Sequence, residues 1–120
     1  MKSLQAFLRF QTVCDPAAPL SVSPASAPIF TAARQHVETT YAPFLNSSDV
    51  TVTHVNTHSM LIEWQGSRPQ LPGVLVYGHY DVVPVAKNVE AWTQGPWSGA
   101  IHDGCSPCLS RWETRACWCT

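Results

Sequence analysis

Val74-Leu75-Val76-Tyr77-Gly78-His79-Tyr80-Asp81-Val82-Val83-Pro84 is an apolar run that breaks off at a glycine and a histidine, with a carboxylate two residues further on. Pro72-Gly73 bounds it on one side and Gly78 on the other, which predicts a buried β-strand over 74–78. Open α/β sheets bind ligands at the carboxyl ends of their strands, so His79 and Asp81 fall where a site is expected. His79 offers a neutral imidazole to a metal, and Asp81 is close enough to orient it. The plainer reading stands beside this one: a histidine satisfied at a strand end and an aspartate capping a turn.

Working back from that stretch, Val50-Thr51-Val52-Thr53-His54-Val55 is β-branched at every position but His54, and Met60-Leu61-Ile62-Glu63-Trp64 follows after a short turn. The two are expected to form a hairpin at a sheet edge. Upstream, Phe30, Ala33, Val37, Tyr41 and Phe44 keep a three-to-four residue spacing, which predicts a helix over about 27–45. Ser26 is its expected N-cap, and Pro28 is tolerated in its first turn. Leu4, Phe7 and Leu8 predict a shorter helix over 3–10. Between the helices, residues 14–28 hold four prolines and read as an extended loop. The order helix, helix, strand, strand, loop, strand suits an α/β fold of helices plus a mixed sheet.

Length and composition limit the possibilities. At 120 residues there is room for one domain at most. A net charge of −1 argues against a nucleic-acid partner, which would require a basic face. No apolar run approaches the ~18 residues needed to span a bilayer. Gln5 and Arg9 interrupt the N-terminal apolar residues, so no secretory signal is expected. Only Cys14 occurs in the first 104 residues, which favours a reducing, cytoplasmic setting.

Downstream of His79-Tyr80-Asp81-Val82-Val83-Pro84 come Glu90-Ala91-Trp92, Gly95-Pro96-Trp97-Ser98-Gly99-Ala100-Ile101 and Asp103-Gly104. This block resembles the zinc aminoacylase/carboxypeptidase family (metallopeptidase family 20), which includes carboxypeptidase S, N-acyl-amino-acid hydrolases and carnosine-type dipeptidases. Phe10-Gln11-Thr12-Val13 looks like the end of that family's first helix, and His58-Ser59-Met60-Leu61-Ile62 resembles the strand before its metal strand. The resemblance covers about residues 3–104 and is most specific over 74–104.

The resemblance implies the N-terminal part of a zinc-exopeptidase-like catalytic domain, here truncated. It implies His79 as a ligand of one of two zinc ions and Asp81 as the active-site carboxylate that holds the imidazole. The substrates it implies are short peptides or N-acyl amino acids, with homodimers formed through a domain not found in this stretch. Trp92 and Trp97 are expected to pack over the loop near the site.

The family pattern also marks a departure. It continues after Asp-Gly with an aromatic-x-Gly-Arg-Gly segment that leads to the aspartate bridging both metals. Here Asp103-Gly104 runs into Cys105-Ser106-Pro107-Cys108. Residues 1–104 therefore read as a partial peptidase domain, and 105–120 as an aberrant Cys- and Trp-rich tail. The tail's Cys-x-x-Cys and Cys-x-Cys spacing fits zinc-ribbon patterns poorly. Two functions follow as alternatives: a zinc-dependent amide- or peptide-bond hydrolase present as a fragment, or an inactive truncated product or partner-binding fragment with an incomplete metal site. His36, His54, His58 and His102 are assigned to surface or turn positions.

Overall fold

The computed structural model describes residues 2–14, 22–85, 92 and 94–101, together with the backbone of 105–106 and 118–119. Helix α1 spans Lys2–Phe7 and helix α2 spans Ala27–Thr40. Helix α3, Ala42–Leu45, follows α2 after a break at Tyr41. Strands β1 (Val50–Val55) and β2 (Ser59–Trp64) pair antiparallel, from Val50 opposite Trp64 to Val55 opposite Ser59. Strands β3 (Cys105–Ser106) and β4 (Trp118–Cys119) form a second antiparallel pair.

The helix expected over 27–45 is thus two helices, and Pro43 explains the break. Its ring lacks an N–H and would collide with the carbonyl four residues back, so an unbroken helix cannot pass through it. A new helix can start with proline in its first turn, and α3 does so. Ser26 does stand at the N-cap of α2, but its hydroxyl makes no capping bond. Ser23 intervenes: its hydroxyl donates to Ser26 Oγ at 3.1 Å, and its carbonyl accepts from the Ser26 and Ala27 N–H groups.

The core is small and centred on α2. Phe30, Ala33 and Leu45 are buried, with Thr12 as the buried polar residue. Helix α1 packs on α2 through Phe7, Phe10 and the His36 ring, whose Nε2 bonds the Ser3 carbonyl at 3.1 Å. In the same half of α2, Arg34 donates to Glu38, and Glu38 also meets His54 of β1, which ties the helix to the hairpin. Trp64 covers Phe44 edge-on and donates from its indole to Asp49 at 2.7 Å.

The segment 74–78 corrects the sequence reading. It runs extended but pairs with no described strand, and Val74, Leu75, Val76 and Tyr77 are 77–91% exposed rather than buried. Strand identity requires a neighbouring ladder as well as β-forming residues. Among the described residues the sheets are two separate antiparallel pairs, β1–β2 and β3–β4, so the expected mixed sheet is not formed there. Helices with a small sheet remain compatible with an α/β fold. The parallel element that does exist is a single bridge between Val13 and Val82.

Candidate functional site

Gly78, His79, Tyr80 and Asp81 line an open cleft of about 750 Å³. The hairpin, including His58 and Met60, and Phe30 of α2 line it as well. Cys14 and Val22 are further lining residues. The chain reaches this point because the bridge to Val13 ends the free run of 74–78 and fixes the backbone from Tyr80 onward.

His79 and Asp81 meet directly. The His79 Nδ1 lies 3.0 Å from Asp81 Oδ1 and 3.1 Å from the Asp81 carbonyl oxygen. Alternate residues of an extended chain project to one side, which lets the two side chains reach each other. In the tautomer that donates from Nδ1, the Nε2 lone pair is presented outward, the arrangement metal-ligating histidines adopt when a carboxylate holds the other nitrogen. The imidazole is 82% exposed, so an incoming ligand meets no covering side chain.

The residues around Asp81 are held more firmly. Tyr80 packs its ring on Phe30 and Phe7, with centroids 5.6 and 6.1 Å apart, and its hydroxyl donates to the His58 carbonyl. Burial raises the Tyr80 phenol above its ordinary value, with Arg34 opposing and Cys14 and Asp81 reinforcing that shift. Burial, followed by the charge and hydrogen bond of the Asp81 carboxylate, likewise pushes the Cys14 thiol up. Both effects favour the neutral thiol over the thiolate.

His54 is exposed on β1, the surface position expected of it, whereas His36 is half-buried where α1 packs on α2, and neither lines the cleft. His58 was assigned a turn role and does sit in the hairpin turn, but it also lines the cleft, and its Nδ1 is buried without a partner among the described residues. That it shares the cleft with His79, 21 positions away in sequence, has no local sequence signal. Thr12 and Cys14 were missed for the same reason. Trp92 and Trp97 are half-buried. His102 lies outside the described residues.

A zinc site takes four ligands, or three and a water. Among the described residues no group of three or more His, Cys, Asp or Glu side chains is placed to hold a metal ion. The pair contributes one imidazole and one carboxylate. This donor set does not make a complete zinc centre.

No family model matches the chain, and no solved structure matches it. It is 43% identical over 51 residues to a protein of Dictyostelium discoideum named "Probable carboxypeptidase S-like 1", a match that covers 42% of this chain and 10% of that protein. It is 39% identical over 54 residues to an uncharacterized carboxypeptidase of Schizosaccharomyces pombe, covering 44% of this chain and 9% of that protein. The matched stretch thus spans about a tenth of the length of these curated relatives. The likeness supports a relationship to peptidase-type hydrolases for that part of the chain.

Proposed function

We propose that this chain carries part of the active site of a hydrolase acting on peptide or amide bonds, of the carboxypeptidase or N-acyl-amino-acid amidohydrolase type. The observation that supports this most is the His79–Asp81 pair, 3.0 Å apart at the mouth of a cleft, together with the partial likeness to proteins named carboxypeptidases. Asp81 is the carboxylate that fixes the imidazole, and His79 is the ligand offered to zinc. Short peptides or N-acyl amino acids with a free carboxylate are the substrate class, and a reducing compartment suits Cys14. Residues 105–120 are read as a segment foreign to this hydrolase fold; the coding nucleotides test that, and the absence of any alternative frame or exon encoding a Gly-Arg-Gly continuation would refute it.

The described donor set does not close a zinc site, so no hydrolytic step is assigned to this chain acting alone. Incubating the purified chain with zinc and a panel of N-acyl amino acids and dipeptides tests the reading. The expected result is weak zinc binding that disappears in His79→Ala, with no chelator-sensitive turnover. Zinc binding indifferent to His79→Ala would remove His79 from the site, and chelator-sensitive hydrolysis would show that the site is complete.

One observation favours a second reading, in which the chain is an inactive or partner-dependent fragment. Val74–Tyr77 exposes four successive apolar side chains beside the site, as a strand awaiting neighbours would.

A further inference from the structure

Asp81 is clamped on both sides by one residue. Thr12 is 98% removed from solvent, with a relative exposure of 2%. Its hydroxyl donates to the Tyr80 carbonyl at 2.6 Å, and its own carbonyl accepts from the Val82 N–H at 2.9 Å. The next residue, Val13, forms the parallel bridge to Val82. The two bonds grip the peptide units immediately before and after Asp81. On the other side of the clamp, Leu75 to Gly78 make no backbone hydrogen bond among the described residues, so the backbone is first held where Thr12 meets it.

From this geometry we infer that Thr12 is the positioning residue of the site: its hydroxyl sets the Tyr80–Val82 backbone so that the Asp81 carboxylate faces His79 Nδ1. This rests on the assignment of His79 and Asp81 to one site. Buried hydroxyls find hydrogen-bond partners as a rule, so burial alone would account for some bond here. What singles Thr12 out is that both its bonds go to the two residues flanking the same carboxylate. Valine has the shape of threonine without the donor, and would leave the Tyr80 carbonyl unpaired on that side. Serine keeps the donor and loses only a methyl group.

The test is ¹⁵N NMR of the His79 ring in the full chain, at a pH where the imidazole is neutral, comparing wild type with Asp81→Ala, Thr12→Val and Thr12→Ser. Ring nitrogen shifts report which nitrogen carries the proton. Wild type is expected to carry it on Nδ1, and Asp81→Ala to weaken that preference, the residue-81 carbonyl at 3.1 Å remaining as the other acceptor. Thr12→Val is expected to shift to the Asp81→Ala pattern, and Thr12→Ser to keep the wild-type one. Wild-type shifts in a folded Thr12→Val would overturn the inference, as would displaced shifts in Thr12→Ser. If the valine variant fails to fold, displaced shifts in Thr12→Ser would still overturn the inference. The readout involves no metal: if the Thr12 variants behave as expected while the chain binds no zinc, the hydrolase reading fails and the positioning role stands.

Discussion

Gly99 meets the backbone of Gln5 so closely that a Cβ on it would stand 2.3 Å from the Gln5 carbonyl oxygen. Its φ of +56° is a left-handed conformation that residues with a Cβ adopt only at a cost of about 1–2 kcal/mol. Around this contact the Gln5 amide donates to the Gly99 carbonyl at 3.0 Å, and the Arg9 guanidinium donates to the Ser98 carbonyl at 3.1 Å. The loop at 98–100 is thereby seated on the first helix, the element that leads directly into Thr12.

Gly99→Ala therefore meets both a disfavoured φ and a backbone atom that cannot swing aside. The expected loss is about 2 kcal/mol or more, set by the left-handed penalty plus the displaced contact. Urea denaturation followed by circular dichroism measures it. An unchanged midpoint would show that the loop leaves the helix at little cost.

The hairpin turn holds the opposite kind of site. Asn56 and Thr57 have φ of +49° and +67°. Asparagine tolerates this region, but a β-branched threonine does so as a genuine outlier. Thr57→Gly supplies the residue that primed hairpin turns favour. Relief of roughly 1–2 kcal/mol, less about 0.5–1 kcal/mol for the greater freedom of glycine in the unfolded chain, leaves a gain of up to about 1.5 kcal/mol. A higher thermal midpoint is expected. A lower one would mean that Thr57 makes compensating contacts.

Cys14 carries a pH signature. Burial raises its thiol first, and the Asp81 carboxylate adds to the shift. The folded chain thus favours the neutral thiol. The stability this contributes is fully present below the ordinary thiol pKa and is lost as pH rises through the raised one. Thiolate is the reactive form, so iodoacetamide should label Cys14 more slowly in the folded chain than in urea at mildly alkaline pH. Asp81→Asn should speed labelling only in part, because burial remains. Peptide mapping after timed labelling reads this out; folded-state labelling as fast as in urea would refute it.

How much of this was legible in the sequence depended on how local each feature is. The apolar spacing of α2 and the β-branched run of β1 are decided by neighbours three or four, or two, positions away, and both elements form. Pro43 sits inside the expected helix and its chemistry predicts the break at Tyr41, yet the continuing apolar spacing through Phe44 masked it. His79 and Asp81 are two residues apart, so their meeting follows from extended geometry. Thr12 reaches Tyr80 across 68 positions, and no local pattern carries that information. The misreading of 74–78 has the same origin in reverse, since its composition describes a strand while its environment depends on partners elsewhere.

That segment supports the last prediction. Val74 to Tyr77 has no charge and no proline, and its backbone and side chains are exposed. Such a run is a template for strand pairing between chains. Wild-type chain should therefore assemble with rising concentration in sedimentation velocity. A charge placed within the run opposes stacking of identical strands, so Val76→Lys should remain monomeric. Because Val76 is 88% exposed, the same substitution should leave the thermal midpoint nearly unchanged. The two measurements separate the explanations. A monomeric wild type at high concentration would show that the exposed run is not sticky, whereas a sharply lower midpoint in Val76→Lys would show that the run packs against the fold in solution.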